Sequence, residues 1–190
     1  MAATDPLPDE LVVAVAAQLA AFLPAAGAGA AAAPARELTE SFAVCTVTAE
    51  QVRRPPADLA ALVRPSGVWH HQVRTGTVAT HFARSTLSGF EPAGPQVQSV
   101  FESPIAGRID EAITWADRHV RGRATVRLLV IPAYYVHALA VVPRDGVPSA
   151  VLADQPEGFK QLKYRRLYPL KEFLKLLAKE KPGRSLTVPT

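Results

Sequence analysis

Hydrophobic positions recur at helical spacing near both ends of the chain and in one central segment. Residues 8–23 are apolar on nearly every helical face, which is typical of a helix that is buried or stands in an interface. In the central segment, Ser103 is a suitable N-cap, Pro104 occupies the first helical position and Gly122 lies just past the end. The last predicted element is a basic helical segment. Pro169 interrupts it, and a new helix begins there as PLKEFLKLLAKEK.

Runs rich in β-branched and aromatic residues predict strands between these helices. The predicted strands are SFAVCTVT (41–48), two strands around Thr75-Gly76, PQVQSVF (95–101), TVRLLVI (125–131), YYVHALAVV (134–142) and VPSAVLA (147–153). A short helix is predicted after Pro56, ending at Pro65. Short hairpin connections favour a single α+β domain, in which helices cover an antiparallel or mixed β-sheet. An N-terminal apolar helix and a C-terminal basic amphipathic helix complete the predicted fold.

The chain divides into three predicted parts. Residues 1–35 hold the N-terminal helix and an Ala/Gly/Pro linker (24–35), residues 36–181 form the α+β domain, and residues 182–190 form a flexible tail. Because exposed apolar surface is costly, the helix should bury its apolar positions on this chain or across an interface of self-association. These positions are Leu11, Val15, Leu19 and Phe22.

Three of the five histidines lie in the hairpin VWHHQVRTGTVATHFARS (68–85). A two-residue turn at Thr75-Gly76 would place His70 opposite His81 on one face. It would place His71 on the other, core face, hydrogen-bonded to Thr80 or to backbone.

Two facing imidazoles can ligate a metal, so His70 and His81 are weak candidates for a metal site. A catalytic zinc site usually needs three protein ligands. The third would come through the fold from His119, His137 or Glu111, and a nearby Arg74 would disfavour a cation. We therefore assign no metal, no cofactor and no catalytic residue from the sequence.

The remaining candidate chemistry is sparse. Cys45, the single cysteine, sits within a predicted strand, where buried thiols are inert, and it rules out an internal disulfide. GAGAAA (27–32) follows a helix rather than a strand, so it is a linker and not a dinucleotide fingerprint. The apolar run at residues 11–23 follows acidic residues and is too short to span a bilayer. We therefore expect a soluble, cytoplasmic protein with no membrane span.

Charge is distributed unevenly along the chain. Residues 1–156 carry 12 arginines and 14 acidic residues, a net charge of −2, whereas residues 157–190 carry nine basic and three acidic residues, a net charge of +6. All six lysines lie in this last part. In the C-terminal helix, Leu170, Phe173, Leu174 and Leu177 form one face, which should dock on the sheet and leave the lysines in solvent.

The basic segment suggests a partner-binding surface. Its candidate residues are Lys163, Arg165, Arg166, Lys171, Lys175 and Lys179. The leading hypothesis is a non-enzymatic protein-binding domain (an adaptor, inhibitor or assembly subunit) whose partner is acidic. One alternative is a small enzyme or metal-binding protein with a site around His70 and His81. Another is a nucleic-acid-binding protein that uses the basic segment.

Overall fold

The described residues of this chain form one mixed sheet with helices. The computed structural model describes residues 2–5, 7, 12–13, 15–18, 36–86 and 96–182. The predicted α+β class with a sheet is confirmed. The nine strands are β1 (Ala2–Thr4), β2 (Arg36–Thr46), β3 (Val68–Thr75), β4 (Val78–Thr86), β5 (Gln96–Glu102), β6 (Ala124–Ile131), β7 (Val136–Pro143), β8 (Ser149–Asp154) and β9 (Leu167–Pro169).

The sheet has the order β5-β4-β3-β2-β6-β7-β8-β9, and β1 also pairs with β6. Strand β6 runs parallel to both β1 and β2, whereas all other pairs are antiparallel. This central position explains the nearly continuous apolar sequence of β6, because both of its faces are covered.

The hairpin of β3 and β4 turns one residue later than predicted and contains a bulge. Thr75 pairs with Val78, so the turn residues are Gly76 and Thr77, and Gly76 has the positive φ of +64° that such a turn requires. Arg74 then pairs with Ala79 but Val73 pairs with His81, which leaves Thr80 as an extra residue.

Helix α2 (Pro104–His119) packs on one face of the sheet, called here the inner face. The Ser103 side chain accepts a hydrogen bond from the Ile105 amide, as predicted for the N-cap. Just past the other end, Gly122 has a φ of +81°, which agrees with the predicted boundary. Within one turn of the helix, Ala106 packs against Phe82 of β4 and Arg108 binds Asp154 of β8, although four other strands lie between β4 and β8 in the sheet. The sheet must therefore curve around α2.

The opposite, outer face is covered by shorter elements. These are α1 (Ala49–Arg53), α3 (Leu170–Leu177) and two 3-10 helices, Leu59–Val63 and Pro132–Tyr134. The short helix expected after Pro56 is thus a 3-10 helix. No helix among the described residues is long and apolar enough to cross a membrane.

The N-terminal segment also joins the sheet. Residues 2–4, for which the sequence predicted no element, form β1, and residues 12–13 and 15–18 are helical. Val15 is buried against Val73, Ala83 and Val97 on the outer face, whereas Val13 is 71% exposed. Val15, one of the four positions expected to be buried, is therefore buried as expected, and Val13 was not among them. Leu11, Leu19, Phe22, the linker 24–35 and residues 183–190 lie outside the described residues.

The basic segment before Pro169 is not helical. It forms a loop and then the short strand β9, which pairs with β8. Leu162 and Tyr168 anchor this segment because both side chains are buried in the outer-face core. Tyr168 pairs with β8 in the edge strand β9, so the segment cannot continue as a helix there. This tertiary contact overrides the local helical pattern.

Candidate functional site

The two histidines expected to face each other lie on opposite faces of the sheet. His70 pairs with Arg84, and His81 pairs with Val73. The bulge at Thr80 shifts the pairing by an odd number of residues, and such a shift moves every following side chain of β4 to the other face. The expected pairing of His70 with His81 is therefore wrong, and these two weak metal candidates do not face each other.

His71 is a core histidine with two hydroxyl partners. Its Nδ1 lies 2.9 Å from Ser41 Oγ, and its Nε2 lies 2.7 Å from Ser85 Oγ. A neutral imidazole satisfies both contacts, because one ring nitrogen donates and the other accepts. Burial lowers the pKa of His71 to about 4. The core position is as expected, but Thr80 is not its partner.

His81 contacts the bulge residue and the neighbouring strand. Its Nδ1 is 2.8 Å from Thr80 Oγ1, and its Nε2 is 4.0 Å from the Glu102 carboxylate on β5. Neither expected third metal ligand from α2 joins it. His119 stacks on Trp115 and donates to the Trp115 carbonyl, and Glu111 is exposed. Among the described residues, no three His, Cys, Asp or Glu side chains are grouped to hold a metal.

A cluster of polar side chains lies instead on the inner face of the sheet. The fully buried His70 ring stacks on Phe82 with centroids 4.8 Å apart. Neither ring nitrogen of His70 has a hydrogen-bond partner among the described residues, although Gln72 is close enough to affect its pKa. Arg84 also leaves its buried Nε unpaired within this part of the chain. Burying a polar group without a hydrogen-bond partner costs free energy, so His70 and Arg84 lie in an unfavourable environment.

Burial and neighbouring charge keep the histidines of this cluster neutral. Burial lowers the pKa of His70 well below its usual value, and the Arg84 guanidinium lowers it further. Burial also lowers the pKa of His137, against the opposing effect of Asp154. The Asp154 carboxylate lies between two groups: one oxygen bonds Arg108 of α2, and the other is 3.9 Å from His137 Nδ1.

A pocket of about 310 Å³ opens beside the Arg108–Asp154 ion pair. Helix α2, strand β8 and the loop between β8 and β9 form its walls. The lining residues are Arg108, Glu111, Ala112, Leu152, Ala153, Tyr164 and Arg165. A volume at the lower end of the range for ligand sites, with an apolar floor and polar rim, suits a small organic molecule.

The basic residues singled out from the sequence are all exposed, and they fall into two groups. Arg165 lies 3.9 Å from Glu111, and Arg166 lies 3.7 Å from Glu172 and over the Tyr168 ring. The lysines form no ion pair with any described residue; they are Lys160, Lys163, Lys171, Lys175, Lys179 and Lys181. The four apolar residues of α3 are completely buried, as expected.

Cys45 is buried within the outer-face core. Burial raises the pKa of its thiol to about 12, so it is protonated at neutral pH and unsuited to nucleophilic attack.

No sequence pattern marks Arg84, Asp154 or Tyr164 as part of a polar cluster or a pocket. Arg84 and Asp154 are charged residues next to apolar strand positions, which is the one available indication of a special environment. Their proximity to α2 depends on the curvature of the sheet.

Comparison with known proteins offers no guide to these features. No protein-family model, curated protein or solved structure matches the chain. The chemistry of the histidine cluster, of the exposed basic residues and of the pocket is therefore inferred from the residues themselves.

Proposed function

We propose that this protein is a non-enzymatic binding protein whose basic C-terminal surface contacts an acidic helix of a partner protein. We define the basic C-terminal surface by Lys160, Lys163, Lys171, Lys175, Lys179 and Lys181. The observation that carries the proposal is that these six lysines are exposed and form no ion pair with a described residue. In the body, by contrast, Arg74, Arg108 and Arg127 each bond a carboxylate of the chain.

The helix α3 holds two of these lysines, and a third follows in the turn after it. Its apolar face is fully buried, so the opposite face points outward at a fixed orientation. Lys171 and Lys175 are four residues apart in α3, a rise of about 6 Å at 1.5 Å per residue, and Lys179 continues the four-residue spacing into the turn that follows the helix. Carboxylates at the same spacing on a partner helix would match this row.

A loop contact extends the surface beyond the helix. The Glu180 carboxylate accepts from the backbone amides of Lys160 and Gln161 at 2.7 and 2.8 Å. This contact brings the backbone of Lys160 to Glu180, whose neighbours in sequence are Lys179 and Lys181, so three lysines surround one carboxylate. The local charge therefore stays positive and favours an acidic partner.

The test compares two triple variants that remove the same charge. Lys171→Gln/Lys175→Gln/Lys179→Gln alters the proposed surface, and Arg118→Gln/Arg121→Gln/Arg123→Gln alters exposed arginines near the end of α2. The probe is a fluorescent helical peptide with three glutamates spaced four residues apart, measured by anisotropy at two salt concentrations. We expect the lysine variant to bind about tenfold more weakly, and the arginine variant to bind like the unmodified protein.

Two controls make the result specific. A peptide isomer with the same glutamates irregularly spaced should bind more weakly than the regular peptide. Equal losses in both triple variants would show nonspecific charge attraction and overturn the proposal. Tighter binding of duplex DNA, with a steep salt dependence that the lysine variant removes, would assign the surface to nucleic acid instead.

A further inference from the structure

The pocket beside Arg108 combines an apolar floor with two cationic side chains. Ala112 and Ala153, both buried on the inner face, form the floor, while the more exposed Arg108 and Arg165 stand at the rim. Arg108 uses one Nη atom for Asp154, which leaves its other donors available. A compact molecule with an apolar body and one anionic group fits this combination.

Two guanidinium groups and two carboxylates surround the pocket, and only one of the two ion pairs is close. Asp154 offsets Arg108, but Arg165 is held only weakly, since its Nη2 is 3.9 Å from Glu111 and both side chains are 73% exposed. Glu111 lines the same pocket, so a bound carboxylate would compete with it for the Arg165 guanidinium. An arginine binds a planar carboxylate through two parallel hydrogen bonds, so a monocarboxylate satisfies it.

Tyr164 adds a neutral donor to the same rim. Burial raises the pKa of its phenol, and the nearby Asp154 carboxylate raises it further. The hydroxyl therefore stays protonated at neutral pH and can donate to a carboxylate oxygen.

The loop that carries Tyr164 and Arg165 is held in an unusual conformation. Arg165 has a φ of +55°, in the left-handed region that non-glycine residues seldom adopt. Contacts on both sides hold the loop: Leu162 is buried, and the backbone amide of Lys163 donates to the Tyr168 hydroxyl at 3.0 Å. Strained residues of this kind persist where the surrounding structure enforces them, and they cluster at ligand sites.

We propose that this pocket binds a small organic monocarboxylate, with its apolar body on Ala112 and Ala153 and its carboxylate between Arg108 and Arg165. This site is independent of the lysines of the basic C-terminal surface. A dianion such as phosphate fits less well, because Asp154 and Glu111 lie beside it and the floor offers it no polar contact.

The experiment uses benzoate as the probe and the full chain labelled for NMR. Benzoate should shift the signals of the pocket residues in a saturable way. Benzamide, which is neutral and similar in shape, and inorganic phosphate should bind more weakly. Arg165→Gln should weaken benzoate binding about tenfold, as expected for loss of a charge-assisted hydrogen bond. Glu111→Gln should strengthen it, because the competing carboxylate is removed.

Arg166→Gln provides the matched control, since Arg166 is the next residue in the loop and does not line the pocket. It should leave benzoate affinity unchanged. The proposal fails if benzoate produces no saturable shifts at the pocket, if benzamide or phosphate binds as tightly as benzoate, or if Arg165→Gln binds benzoate like the unmodified protein. Loss of benzoate binding in the control alone would also overturn it.

Discussion

At the scale of single residues, three histidines that are close in sequence occupy three different environments. His71 has two serine partners, His70 has no hydrogen-bond partner among the described residues, and His81 contacts Thr80 and Glu102. The residue type alone does not distinguish them. Their neighbours decide whether each imidazole is satisfied and whether it can titrate.

The titration of His71 gives a prediction about stability. Its pKa is about 4 in the folded protein and 6.5 in a solvated reference state, so the unfolded chain binds more protons between these values. The free energy of unfolding should therefore fall as the pH is lowered from 6.5 to 4, by roughly 3 kcal/mol from His71 alone. Lowered pKa values of His70 and His137 act in the same direction.

Urea unfolding at several pH values measures this effect. His71→Gln keeps a hydrogen-bonding side chain that does not titrate, so its stability should depend less steeply on pH than that of the unmodified protein. His119→Gln removes an exposed histidine and serves as the control. If the His71 variant kept the full steepness, His71 would not be the source.

At the scale of elements, the residues that helix α2 buries differ in detail from the apolar pattern of its sequence. Its boundaries at Ser103 and Pro104 follow local rules. Ile105 and Ile113 are only partly buried, whereas the smaller Ala106 and Ala112 are buried against the sheet. Small side chains let the helix lie close inside the curved sheet, and helical periodicity does not report that curvature.

Gly107 lies within α2 and offers a stabilising substitution. A Cβ added there would meet only the Ala79 carbonyl oxygen at 3.6 Å, an ordinary contact. Gly107→Ala should raise the free energy of unfolding by about 0.5–1 kcal/mol, because a helical glycine loses more backbone entropy on folding. Thermal and urea unfolding test this value.

Gly122→Ala is the matched contrast for Gly107. Its φ of +81° is unfavourable for alanine, although nothing lies within 4 Å of the added Cβ, so the substitution should destabilise the protein. A destabilised Gly107 variant would show that the space beside Ala79 is tighter than the structure indicates.

At the scale of the whole molecule, the N-terminal segment connects distant parts of the sheet. Strand β1 pairs with β6, and Asp5 binds Arg127 through two contacts of 2.6 and 3.1 Å. Farther along, Val15 packs against Val73 and Val97. The segment thus links the centre of the sheet to β5 at its edge.

Removing the Asp5 carboxylate should therefore weaken the fold. We expect Asp5→Ala to lower the free energy of unfolding by about 1–3 kcal/mol, because the partly buried Arg127 loses a charged partner. Asp145→Ala, in an exposed turn, should change it little. Deletion of residues 1–35 should cost more than Asp5→Ala or alter the mass measured by light scattering. An unchanged melting temperature and mass would contradict the linking role.

Elements that depend on neighbouring residues in the chain can be predicted from the sequence alone. The N-cap at Ser103, the apolar run of β6 and the four buried residues of α3 follow from capping, burial and helical spacing. The concentration of lysines after residue 156 is likewise a property of the sequence alone. These features depend on residues within one or two turns of each other, so their physics is contained in the local pattern.

Contacts between polar side chains of distant segments depend on tertiary packing. One extra residue at Thr80 moved His81 away from the face of His70, and no local rule identified that bulge. Curvature of the sheet around α2 brought Arg108 of the helix to Asp154 of β8 and opened the pocket beside them. Register and curvature arise from packing between distant segments, which the order of residues along the chain does not display.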